Sequence, residues 1–186
     1  MRRILVPLLL ALTACAGKPE PHPVDELIGR TDVVTLTDLH PDEARARLFA
    51  VNYQQGGLIP VCSQVTLIER TTKKLSFRVE ATGKVYEYDY HEKAAAEPFG
   101  DHLAHYFGSP CPRAALDALP ELDRRGIEQG KALPGMSKAG VAFAMGYPPR
   151  HVTPSLDARR WIYWTNRVNR IAVVFDESGH VVAVEN

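Results

Sequence analysis

No apolar run in this chain approaches the roughly 18 residues that a membrane-spanning helix needs. The most apolar stretch, Ile4–Leu12, is short and is interrupted by Pro7. Neither sign of charge predominates, with 22 Lys and Arg against 22 Asp and Glu, so no global basic field recruits nucleic acid. Cysteine is sparse, with Cys15, Cys62 and Cys111 the whole complement. No glycine-rich loop opens a helix in the manner of a phosphate cradle, because Gly56 and Gly57 lead into a strand-like run. What remains is the composition of a folded protein, 45% hydrophobic and 24% charged, long enough for one domain or two small ones.

The N-terminus has the pattern of a secretory leader. Arg2 and Arg3 form a basic n-region, and the nine residues Ile4–Leu12 would rise only about 14 Å as a helix, half a bilayer core. Leu12-Thr13-Ala14-Cys15 resembles the lipobox of bacterial lipoproteins, an aliphatic residue and two small ones before the cysteine that is acylated. The resemblance implies residues 1–14 as signal peptide and Cys15 as the lipidated first residue, with no cofactor. Loss of Arg2 and Arg3 then leaves acidic residues two in excess. Ala16 rather than Asp follows that cysteine, which by the same resemblance directs the protein to the outer membrane. Residues 15–30, rich in Pro and polar groups, read as a semi-extended tether.

In an exported chain, Cys62 and Cys111 form a disulfide or remain two free thiols with distant Cβ atoms. A bridge would close a loop of about 50 residues and add roughly 4 kcal/mol by chain entropy. Cys62 as a nucleophile beside His40 or His91 matches no motif.

Residues 31–110 carry strand patterns at 31–39, 47–53, 56–60, 63–70, 75–81 and 84–91, bounded by turn signals. In the fifth, Leu75, Phe77 and Val79 share one face and Ser76, Arg78 and Glu80 the other. Such spacing predicts a small antiparallel barrel or curled sheet, and "GGLIPVCSQVTL" resembles bacterial SH3-like modules. Tyr86, Tyr88 and Tyr90 form a stripe that either packs a sheet face or offers a binding surface. Residues 94–108 predict a helix, with Pro98 in its first turn and Gly108 at its end. Asp101, His102 and His105 lie on it, but a metal site would need further ligands from elsewhere, so no metal is assigned. Residues 111–125 read as a Pro-punctuated linker in which Glu121 and Asp123 are solvated, as is Glu128 beyond it.

Residues 126–186 predict one helix and a three-stranded meander. Ser137 is its N-cap, Val141, Ala144 and Met145 its apolar stripe, Gly146 its C-cap and Pro148-Pro149 its stop. Strands follow at 159–165, 170–176 and 180–185. Gly135-Met136-Ser137, Met145-Gly146-Tyr147-Pro148, Trp161-Ile162-Tyr163 and Val173-Val174-Phe175-Asp176, with Gly179-His180-Val181, resemble the motifs of SmpA/OmlA (BamE-like) outer-membrane lipoproteins. That resemblance implies a non-catalytic domain that assists insertion of β-barrel proteins by protein contacts. Residues 15–125 precede it here, whereas family members place the domain close behind the anchor. The same small fold resembles the repeats of β-lactamase-inhibitor proteins, again a binding scaffold.

Strand alternation sends Trp161 and Tyr163 to one face and Ile162 and Trp164 to the other, so the tryptophans cannot form one stacking platform for bases. Trp164 flanked by Arg167 suits a protein partner instead. The sequence therefore reads as a lipid-anchored, α+β, non-enzymatic binding protein of the periplasmic face. Envelope proteins are the expected partners, with peptidoglycan, bound by the N-terminal module, as the alternative.

Overall fold

The computed structural model describes residues 20–186. The expected leader, the acylation site Cys15 and the first part of the tether lie outside the described residues. No helix among them is long and apolar enough to cross a membrane.

A 3-10 turn, Pro23–Leu27, leads to β1 (Val34–Thr35), β2 (Arg47–Phe49), β3 (Val65–Arg70), β4 (Lys74–Val79) and β5 (Val85–Asp89). Helices α1 (Glu92–Ala95) and α2 (Phe99–Ala104), then β6 (Phe107–Gly108), complete the first half. The expected single helix over 94–108 is therefore two short ones. Pro98 stands at the N-cap of the second with ψ 146°, an extended backbone that no helix can run through.

Four strands form a sheet in the order β2-β5-β4-β3. Leu75, Phe77 and Val79 are buried as the alternation requires, and Tyr86 and Tyr88, opposite Phe77 and Leu75, face the same core. The expected antiparallel barrel or curled sheet is met only in part. Strand β2 runs parallel to β5, Leu48 beside Tyr88, and the sheet does not close on itself. Its β3 edge is met by the segment before β1 instead, where Gly29 N–H donates to Leu67 and Val65 N–H to Val33. Residues 56–60 contribute only a single bridge, Leu39 to Ile59, in place of a strand.

The second half contains α3 (Arg113–Asp117), α4 (Glu121–Gln129), α5 (Lys138–Met145), β7 (Arg160–Trp164), β8 (Arg170–Phe175) and β9 (Val181–Glu185). Much of residues 111–125 is thus helical. Asp123, expected in solvent, is 1% exposed and sits between α4 and α5. Close approach of these helices needs two glycines. A Cβ on Gly140 would meet Asp123 Cγ at 2.4 Å, and one on Gly126 would meet the Met136 sulfur at 2.1 Å. Strands β7, β8 and β9 form an antiparallel meander whose Trp161, Tyr163, Val173 and Phe175 pack on Val141, Ala144 and Met145.

The two cores are welded at the C-terminal end of α5, whose last carbonyls have no partner within the helix. Asp38 N–H donates to the Phe143 carbonyl at 2.8 Å, and the His40 imidazole meets the Ala144 carbonyl at 2.9 Å. Asn52 Nδ2 bridges the carbonyls of Met145 (2.7 Å) and Tyr147 (2.8 Å), and Tyr163 Oη donates to Gly146 at 2.9 Å. Three of these four donors come from the first half, so α5 is capped by a fold element nearly 100 positions earlier in the chain.

Candidate partner-binding groove and a second cavity

This weld sets the β2 end of the first sheet beside the β7–β8 hairpin. Tyr53 forms a parallel bridge with Trp164, and Gln54 N–H donates to the Trp164 carbonyl at 2.7 Å. Between the two halves runs an open groove of about 730 Å³, lined by Arg45, Arg47, Phe49, Tyr53, His91 and Arg167 among others. Phe49 and Tyr53 in its lining form a tilted pair with ring centroids 5.3 Å apart. Arg45 pairs with Asp42 at 2.9 Å, and Arg47 with Glu87 at 3.0 Å, so two of the guanidiniums are held in position by acids. Gln55 also lines the groove, its buried Oε1 without a partner among the described residues.

Arg167 is presented by a built turn. Asn166 Oδ1 accepts the N–H groups of Val168 and Asn169, both at 2.9 Å, which fixes the hairpin tip. Arg167 is exposed there beside Val168, itself 80% exposed.

The other expected contact residues are placed differently. Trp164 is not an open ring flanked by Arg167. Arg170 lies over its face at 4.2 Å, His151 stacks with it at 6.4 Å and 10°, and its Nε1 is buried and unpartnered among the described residues. Two of the three tyrosines of the stripe are not available as a binding surface either. Tyr86 and Tyr88 are 4% and 2% exposed, and Tyr90 stacks on Phe99 with centroids 4.5 Å apart. The outward residue on this strand is their neighbour Val85, at 47% exposure. Burial pushes the Tyr86 hydroxyl up to about 12, helped by the Glu43 carboxylate that accepts its proton.

Cys62 and Cys111 are joined in a disulfide, their Cα atoms 5.2 Å apart. It ties the loop before β3 to the start of the α3 segment.

A second cavity, of about 270 Å³, lies between α1–α2 and the segment 147–156. Its rim holds a buried chain of polar groups. His102 Nδ1 donates to Glu97 Oε1 at 2.9 Å, and Tyr88 Oη donates to His102 Nε2 at 2.9 Å. Burial drives the His102 pKa down against the pull of Glu97, which gives the neutral ring that this tautomer requires. Burial acts to raise the Glu97 pKa, but the His102 hydrogen bond, with the Arg150 cation nearby, outweighs it, and it is lowered overall. The chain looks like a relay, but both His102 nitrogens are committed and Tyr88 is buried. No free nitrogen of His102 remains to take a proton from a bound molecule. Asp101, the third residue singled out on this helix, turns away to pair with His22 at 2.9 Å. Among the described residues no group of three or more His, Cys, Asp and Glu is placed to hold a metal ion.

Arg45, Arg47, Phe49, Tyr53, Glu97, Arg150 and Thr153 carry no motif, and a reading by local pattern passes over them. Only the "ARARLF" stretch, with arginines alternating into an aromatic, signals a groove-lining edge strand. Scans of protein-family models, of curated proteins and of solved structures find no match to this chain.

Proposed function

We propose that this chain is a lipid-anchored protein of the bacterial outer membrane, facing the periplasm, that binds envelope proteins and acts as a non-enzymatic scaffold in β-barrel assembly. The groove between the halves carries this reading. Its lining combines Arg45, Arg47 and Arg167 with the Phe49–Tyr53 pair, and arginine and aromatic side chains are the favoured anchors of protein interfaces. Open groove and rigid hairpin tip face solvent together, ready for an extended or looped segment of a partner.

Two further observations agree with the location. The Cys62–Cys111 bond suits an oxidising compartment such as the periplasm. The lipobox-like Leu12–Cys15 supplies the acyl anchor for a chain whose described helices cannot span a bilayer. We read α5 and the β7–β8–β9 meander as the BamE-like unit, with the first half as an added module that completes the groove.

The full chain, purified in detergent, is tested against purified barrel-assembly components and against isolated peptidoglycan. The reading predicts retention by an assembly component, weakened by Arg167→Glu. Retention by peptidoglycan alone contradicts it. Cys15→Ala is expected to release the protein from membranes, and a variant that stays membrane-bound removes the anchor from the account.

A further inference from the structure

The 270 Å³ cavity is distinct from the groove and has a chemistry of its own. Its walls are mainly apolar. The Tyr106 and Tyr147 rings meet edge-on at 6.3 Å, and Pro148, Pro154 and Leu156 continue the lining. Glu97 is the one carboxylate that lines it, and it is already surrounded. His102 donates to one oxygen at 2.9 Å, His105 approaches the other at 3.3 Å, and Arg150 Nε stands 3.6 Å from that same oxygen. The charge of Glu97 is therefore already offset from three sides.

The donors, by contrast, are not used up. Thr153 is 2% exposed, and its Oγ1 accepts from Ile162 N–H at 3.0 Å, yet its own proton has no acceptor among the described residues. A buried hydroxyl with an idle proton costs free energy that a ligand acceptor would recover. Arg150 makes no hydrogen bond among the described residues, and its guanidinium is held at the mouth by Glu97 rather than neutralised in a fork. The Tyr147 hydroxyl is likewise without a partner among the described residues. In a small, mainly apolar cavity, the spare donors at Thr153 and Arg150 fit a ligand with an apolar body and an acceptor, best an anionic one.

We propose that this cavity binds the carboxylate of a small apolar acid, free or at a peptide C-terminus, with Arg150 as charge partner and Thr153 as buried hydrogen-bond donor. The volume is just below the roughly 300–1,000 Å³ range of drug-sized sites, which limits the occupant to about one amino-acid residue. The tyrosine and proline walls would take an aliphatic side chain.

Calorimetric or NMR titration of the full chain with N-acetylleucine and with N-acetylleucinamide tests this. A pentapeptide ending in leucine, as acid and as amide, tests the chain-end source. The acid of at least one pair is expected to bind ten-fold or more tightly than its amide, and which pair does so identifies the source. Arg150→Gln, at an exposed position, is expected to abolish the discrimination in a chain that still unfolds cooperatively and keeps the parent's circular-dichroism spectrum. Thr153→Val, nearly isosteric, is expected to weaken the acid several-fold. Equal binding of acid and amide in both pairs, no binding of any of them, or full discrimination by Arg150→Gln would overturn the proposal.

Discussion

Asp123 on α4 accepts the backbone N–H of Ser137 at 2.9 Å and also the Ser137 hydroxyl, while Ser137 Oγ accepts from Gly140 N–H at 3.1 Å. A carboxylate from one helix thereby caps the next through its N-cap residue, and places negative charge at the positive end of α5. Asp123→Ala strands the Ser137 N–H in a buried site, and is expected to lower the unfolding free energy by about 2 kcal/mol. Glu121→Ala, two residues away on the exposed face, should change it by less than about 0.5 kcal/mol. Urea unfolding of both variants checks the pair. Equal effects would mean that Asp123 is as solvated as its neighbour.

Asp38 predicts a pH dependence. It is 1% exposed, Val61 N–H donates to Oδ1 at 2.7 Å, and Oδ2 has no partner among the described residues. Burial raises its pKa to about 7, against which the Val61 bond pulls only in part. A carboxyl whose folded pKa lies above its unfolded value stabilises fully below about pH 4, and that stability is lost as pH rises to about 7. Asp38→Asn mimics the protonated form and should match the parent near pH 4. At pH 8 it should exceed the parent by about 2–4 kcal/mol. Denaturant unfolding at the two pH values checks this, and an Asn variant that is less stable at pH 8 contradicts an Asp38 whose ionisation is opposed by burial.

The Cys62–Cys111 bond links positions 49 apart. Closing a loop of that size limits the unfolded chain, so a Cys62→Ser, Cys111→Ser double variant should lose roughly 4 kcal/mol. Reduction of the parent should produce the same shift in urea midpoint, and no shift should follow when the variant is treated with reductant. A parent insensitive to reduction would show that the bond adds nothing to the folded state.

Much of the fold was legible where a strong period coincides with a core. The alternation at Leu75, Phe77 and Val79, the Ser137-to-Gly146 helix and the three C-terminal strands correspond to α5, β4 and β7–β9 within a residue or two. Long-range facts were not legible. Nothing local says that β2 would run parallel to β5, since direction is decided by where the intervening strands return. Tyr86 and Tyr88 alternate as well with the core inside as outside, and only Phe77 and Leu75 opposite them decide the face. Asp123 reads as a linker carboxylate until α5 comes to rest on it. The site was less legible than the fold. Arg167 lines the groove, whereas Trp164 was captured by Arg170 and His151, the second of them thirteen positions earlier in the chain.

The central claim, an envelope protein that grips partner proteins through the inter-half groove, is tested most directly in living cells. Val168, 80% exposed beside Arg167, is replaced by a photo-crosslinking amino acid in the full-length chain. Illumination is predicted to give an adduct with a barrel-assembly component, which disappears when Arg45 and Arg47 are both changed to Glu. Cross-linking to peptidoglycan without any protein adduct, or a protein adduct untouched by the double charge reversal, would contradict it.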